Sequence, residues 1–186
     1  MPWSLVPQRR LLAALAARRI MVGMAEMTRE QLLQELHRSQ TQVVKLLEAM
    51  APIQDWQPEP AEWSFRILAA HLAALEQTCH LPRVIRIASG ETPVLDLYTT
   101  TAADYQQADL HRSLKRWIAV RQELTDYVAS LDAQQLAYVG IHESLGPLTV
   151  LQLLHEILEQ DQGNLRHVRQ LIIAYQEDHQ PTRALI

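Results

Sequence analysis

The stretch Trp63-Ser64-Phe65-Arg66-Ile67-Leu68-Ala69-Ala70-His71-Leu72-Ala73-Ala74-Leu75-Glu76 decides the fold. Ser64 is a suitable N-cap, because its hydroxyl can accept from an amide that the first turn leaves orphaned. Beyond it, Ile67, Leu68, His71, Ala74, Leu75 and Thr78 recur at helical spacing. The run reads as an amphipathic helix with one imidazole on its inward face. Pro82 is expected to interrupt or kink it, and Gly90 to end it.

Three further runs have the same character. Upstream, Thr28 and Gln31 stand three residues apart as a capping box. Leu32, Leu33, Leu36, Val43, Val44, Leu46 and Leu47 then carry a helix to about Met50, and Pro52, Pro58 and Pro60 mark a loop. Downstream, residues 91–108 show no period and read as a long connection. A third helix follows from about Asp109 to Leu131, through Leu110, Leu114, Trp117, Ile118, Arg121, Leu124 and Val128. Gly140 to Pro147 read as a loop. Thr149 and Gln152 form a second capping box for a helix from Val150 to about Tyr175. The expected fold is therefore all-α, a four-helix bundle with a long crossover between its second and third helices.

Composition agrees. The chain has 186 residues, suited to one domain, with 29 leucines, 5 glycines and 1 phenylalanine. Glycine-rich nucleotide folds and β sandwiches are poorly served by it. The one cysteine, Cys79, excludes an internal disulfide framework and a multi-cysteine zinc site, and reads as a small buried filler. The net charge of −4 is unevenly placed. Residues 1–23 hold Arg9, Arg10, Arg18 and Arg19 and no acid, so the remainder carries −8. An acidic domain with scattered basic residues argues against nucleic acid as a partner. No apolar run approaches a membrane span or a complete signal peptide, which gives an expectation of no membrane partner and a cytoplasmic location. Residues 1–27 read as a basic N-terminal extension, disordered or a mis-assigned start, since Met21, Met24 and Met27 offer later ones; an amphipathic basic helix on a membrane surface and a transit peptide are the alternatives. Residues 28–177 form the bundle, and 178–186 a tail.

Polar groups on apolar faces are the functional candidates, because burying one without a partner costs about 1–3 kcal/mol. His71 is the first. Its bland reading is a core histidine bonded to a neighbouring helix. The second set lies in Glu159-Gln160-Asp161-Gln162-Gly163-Asn164-Leu165. Asp161 falls in the middle of the apolar sector, with Gln160 and Asn164 stacked one turn apart at its edge. That i, i+4 spacing is how one helix offers two ligands to one metal. Neutral amides are weak ligands for zinc or nickel, however, and an amide pair cross-linking the core fits equally. Gly163 either permits close helix approach or has no role. Glu156 and His167 flank the pair one turn on either side. A site from His71, Glu156, Gln160 and His167 would spread along about 16 Å of helix. His155 and the histidines at 37, 111, 142 and 179 read as surface or loop residues.

Across residues 28–175 the sequence resembles the DinB-like four-helix proteins. Trp63-Ser64, His71-Leu72 and Glu76 are similar to that family's W-S…H-L-x-x-x-E second helix. Gly146 to Leu154 with Gln160-Asp161-Gln162-Gly163-Asn164-Leu165 is similar to its G-x-x-T-x-x-x-L-L…H-D-x-x-H-L last helix. The resemblance implies an up-down-down-up bundle, often dimeric, and a zinc or nickel ion held by three histidines. By position these are His71, Gln160 and Asn164, of which only the first is a histidine; Asp161 matches the family's aspartate. The expectation is a small-molecule-binding or stress-related bundle with a degenerate metal site. It would hold no metal or a weakly bound one, with Asp161, Glu156 and His167 around its pocket and a homodimer as a possible assembly. The alternatives are a metal-dependent thiol transferase or hydrolase, and a structural module acting as a dimer.

Overall fold

The computed structural model describes residues 27–60, 62–96, 101–105 and 107–179. The expectations for residues 1–26 and for the tail beyond His179 lie outside them. Helix α1 spans Arg29–Ala49, and its capping box is complete: Thr28 Oγ1 accepts from the Gln31 amide at 3.2 Å, and Gln31 Oε1 from the Thr28 amide at 2.8 Å. Helix α2, Phe65–Leu75, starts at Ser64, whose hydroxyl accepts from the Ile67 amide. Helix α4, Leu110–Ser130, starts at Asp109. Helix α6, Val150–Asp178, starts at the Thr149–Gln152 box.

The second helix is interrupted just ahead of Pro82 but does not end there. The chain passes from α2 through one π turn, Glu76–His80, into α3, Leu81–Ala88. Proline lacks an N–H, and its ring collides with the carbonyl four residues back. The wide turn accommodates this by bonding the Leu81 amide to the Glu76 carbonyl, five residues back.

The connections hold more structure than the sequence reading expects. The crossover contains β1, Val94–Leu95, and a 3-10 turn, Ala102–Tyr105. A short helix α5, Ala133–Ala137, follows α4. The expected loop at Gly140–Pro147 is instead a hairpin of β2, Val139–His142, and β3, Gly146–Thr149. β2 pairs antiparallel with β3 and parallel with β1, placing Val94 opposite Ile141 and Gly140 opposite Leu148. Gly146 turns the hairpin at φ +77°. A Cβ at Gly140 would lie 2.8 Å from Ile87 Cδ1, so glycine lets the sheet lie directly on α3.

Hydrogen bonds fix the helix directions. Arg29 Nη1 reaches the Leu131 carbonyl and Gln40 Nε2 the Trp117 carbonyl, so α1 and α4 are antiparallel. Arg66 reaches the Ala108 carbonyl and Arg121 reaches Glu76, so α2–α3 and α4 run the same way. The first turns of α1 and α6 meet in one apolar cluster, of Leu32, Leu36, Val150 and Leu154. A second cluster gathers Val43, Leu47, Phe65, Leu68, Leu114, Trp117 and Val168. A polar layer lies between the two clusters: Gln40 from α1, Glu76 and His80 from the π turn, Arg121 from α4 and Asp161 from α6.

Candidate functional site

The buried layer is an ion network around one guanidinium. Arg121 Nε and Nη2 donate to the two oxygens of Glu76 at 2.5 and 2.9 Å. Nη1 and Nη2 donate to the two oxygens of Asp161 at 2.7 and 3.2 Å. The guanidinium also lies 5.6 Å from the Trp117 ring centre. His80 Nδ1 faces Glu76 Oε2 at 3.0 Å, and its Nε2 faces Gln160 Oε1 at 3.2 Å. With Nδ1–H given to the carboxylate, Nε2 either carries a second proton to Gln160 or accepts from that amide turned over.

Electrostatics explain why all of this can be buried. Burial alone would raise the Glu76 carboxyl, but the Arg121 charge and the His80 and Arg121 hydrogen bonds hold it at about 2. Burial raises Asp161, and Arg121 offsets this only in part. Burial opposes the Arg121 charge, yet its two carboxylates push its pKa above the ordinary value. One cation thus faces two carboxylates, and Glu76 is the more firmly ionised of them.

The structure gives the positions that the sequence reading groups together different surroundings. His71, expected to face inward, is not fully buried. It is half-buried, with its ring 4.6 Å from Trp63 and 6.0 Å from Tyr105 of the crossover, centre to centre. Thr78, expected on the same inward face, is exposed and bonds back to the Ala74 carbonyl. The inward positions at this level are Glu76, Cys79 and His80. Burial, and next the nearby His80, lower the His71 imidazole to about 4, so it is neutral at pH 7. Asp161 is buried as expected, 2% exposed. Gln160 is largely exposed but has its amide oxygen on His80, and Asn164 is half-buried.

The flanking residues go elsewhere. Glu156 is half-buried, its carboxyl raised by burial, with His155 and Glu159 beside it. His167 is exposed at the surface of α6; partial burial lowers its imidazole, and Glu62, before the second helix, opposes this. Among the described residues no three His, Cys, Asp or Glu side chains gather as a metal site. The donor set at the three family positions does not fit zinc or nickel: one imidazole, one amide already facing His80 and one further amide. Gly163 serves no close helix approach, since the nearest group to a Cβ there is Arg166 Nη2 at 3.8 Å. Cys79 is a buried filler, its thiol raised by burial.

Sequence reasoning missed Glu76, His80 and Arg121 as a unit. Arg121 stands one turn after Trp117 on an otherwise apolar stripe, which was a readable signal. Its partners come from the π turn and from α6, and no spacing within α4 names them.

Comparison with known proteins places the chain. The model of the DinB superfamily matches residues 35–171. Among solved structures, the chain is similar to YfiT from Bacillus subtilis, described as a probable metal-dependent hydrolase with an unusual four-helix bundle topology. The TM-score is 0.67 at 19% identity, over 81% of this chain and 89% of that one, a likeness of fold. No curated protein matches. Among the described residues, no helix is long and apolar enough to cross a membrane.

Proposed function

Because the chain belongs to the DinB superfamily yet has a single histidine at the three positions where that resemblance implies metal ligands, we propose that it is a small-molecule-binding bundle with a degenerate metal site. The observation that carries this reading is Gln160. It stands at a ligand position, but its amide oxygen lies 3.2 Å from His80 Nε2. His80 is in turn pinned by Glu76, and Glu76 by Arg121. To turn toward a metal, the Gln160 amide would give up this contact with the anchored His80.

The groups presented are an imidazole neutral at pH 7 on His71 and the amides of Gln160 and Asn164. Each can donate and accept hydrogen bonds, and none carries a charge, which suits a small polar molecule. Trp63 and Tyr105 flank His71 with apolar ring surface.

Elemental analysis of protein purified without a histidine tag tests the reading. The expected zinc and nickel content is far below one ion per chain. Stoichiometric metal that is lost in His71→Ala overturns it. As a converse, Gln160→His with Asn164→His supplies the missing imidazoles and is expected to gain metal.

A further inference from the structure

Between α1 and α4 lies a cavity of about 460 Å³, on a different seam of the bundle from the contact of His80 with Gln160. Its size is ordinary for a small-molecule site. Leu33 and Val44 of α1 and Ile118 of α4 give it apolar walls, and Gln40, Arg121 and Thr125 contribute polar groups.

Those polar groups define what could bind. A guanidinium has five N–H donors. Among the described residues Arg121 makes four hydrogen bonds: one from Nε, two from Nη2 and one from Nη1. Among the described residues the second N–H of Nη1 therefore has no acceptor, although the side chain is only 2% exposed and lines the cavity. Such a donor gains from an acceptor that enters the cavity. The two threonine hydroxyls of the lining are committed. The Thr125 hydroxyl lies on the Arg121 and Gln122 carbonyls, and the Thr41 hydroxyl on the His37 carbonyl.

Charge selects among acceptors. Behind Arg121 stand two carboxylates, Glu76 and Asp161, and at the rim Lys45 is set against Glu48 and Asp126. An anion entering here would approach a surplus of negative charge. A neutral carbonyl meets the free N–H without that repulsion, and its apolar body meets Leu33, Val44 and Ile118.

We propose that the cavity between α1 and α4 is a binding site for a neutral, largely apolar molecule bearing one carbonyl acceptor, which receives the spare Nη1–H of Arg121. This site is separate from the one around His71 and does not depend on it.

Coumarin, a neutral bicyclic lactone, is the probe, and naphthalene, of similar shape without a carbonyl, is its control. Both are titrated into the full chain while backbone amides are followed by NMR. Coumarin is expected to give saturable shifts at Gln40, Val44, Ile118 and Thr125, and to bind about tenfold more tightly than naphthalene, the value of one hydrogen bond to a buried charged donor. Thr125→Phe and, independently, Ile118→Trp fill the cavity and are expected to abolish the shifts, while His71→Ala leaves them. No saturable shift, equal affinity for the two probes, or shifts that persist in both filled variants overturns the proposal. So do shifts at these residues that grow with protein concentration in the absence of coumarin, which would place a second copy of the chain in the groove.

Discussion

Arg121→Met tests the central claim that one cation makes the polar layer tolerable. Methionine is of similar length and removes the charge, leaving Glu76 and Asp161 buried together at 1% and 2% exposure. Breaking a buried ion pair from one side costs about 3–5 kcal/mol, because the remaining charge is uncompensated. The Glu76 carboxyl gives an independent figure. It is held at about 2 against an ordinary 4.5, a difference worth about 3 kcal/mol. For a domain of this size the melting temperature should fall by about 6–20 °C.

The pH dependence supplies the sharper check. In the parent, Glu76 has a depressed folded pKa. Its contribution is present above about pH 4.5 and is lost as the pH falls toward 2. In Arg121→Met both carboxyls have folded values above their unfolded ones, so the ionised forms destabilise the fold. The variant should therefore gain stability as the pH falls from 7 toward 5, where the parent gains nothing from Glu76. Urea unfolding across this range reads both. Adding Glu76→Gln and Asp161→Asn to Arg121→Met removes the orphaned charges and should recover much of the loss. A cost below about 1 kcal/mol with an unchanged pH profile would refute the reasoning.

Other consequences follow from single positions. The His71 imidazole should titrate near 4 by NMR, and its contribution to stability should fall away as the pH drops from about 6.5 toward 4, a slope that His71→Gln removes. Gly140→Ala pushes a methyl group to 2.8 Å from Ile87 Cδ1 and should cost about 1–3 kcal/mol in thermal unfolding. Gly163→Ala meets nothing nearer than 3.8 Å in mid-helix and should stabilise the protein by about 0.5–1 kcal/mol. Ser64→Ala removes the acceptor for the Ile67 amide and should cost about 1 kcal/mol by the same assay.

The helices were legible because their causes are local. Capping residues at Thr28, Ser64 and Thr149 and an apolar period of about 3.6 act within one element, and the helices start within a residue of where the sequence places them. Asp161 was legible too, as an acid in the middle of an apolar stripe. The hairpin was not. Val139 to His142 is short, and its strand identity rests on pairing with Gly146–Thr149 and Val94–Leu95, the latter more than 40 residues away. The place of Thr78 was misread. A regular wheel continued through residue 78 takes no account of the π turn ahead of Pro82, and the buried positions there are Glu76, Cys79 and His80.

By itself, then, the sequence determined the four helices, their starts and the presence of polar residues on apolar faces, since each depends on neighbours within a few turns. It also determined that two of the three positions where the family resemblance implies metal ligands carry amides. Only the tertiary structure decided which polar residues belong together. Glu76, Arg121 and Asp161 come from three helices and are 45 and 40 residues apart in sequence, joined by hydrogen bonds that exist only once those helices pack. The same packing draws Gln160 to His80 and leaves the cavity beside Arg121, because the energy of a buried charge depends on everything around it rather than on its own helix.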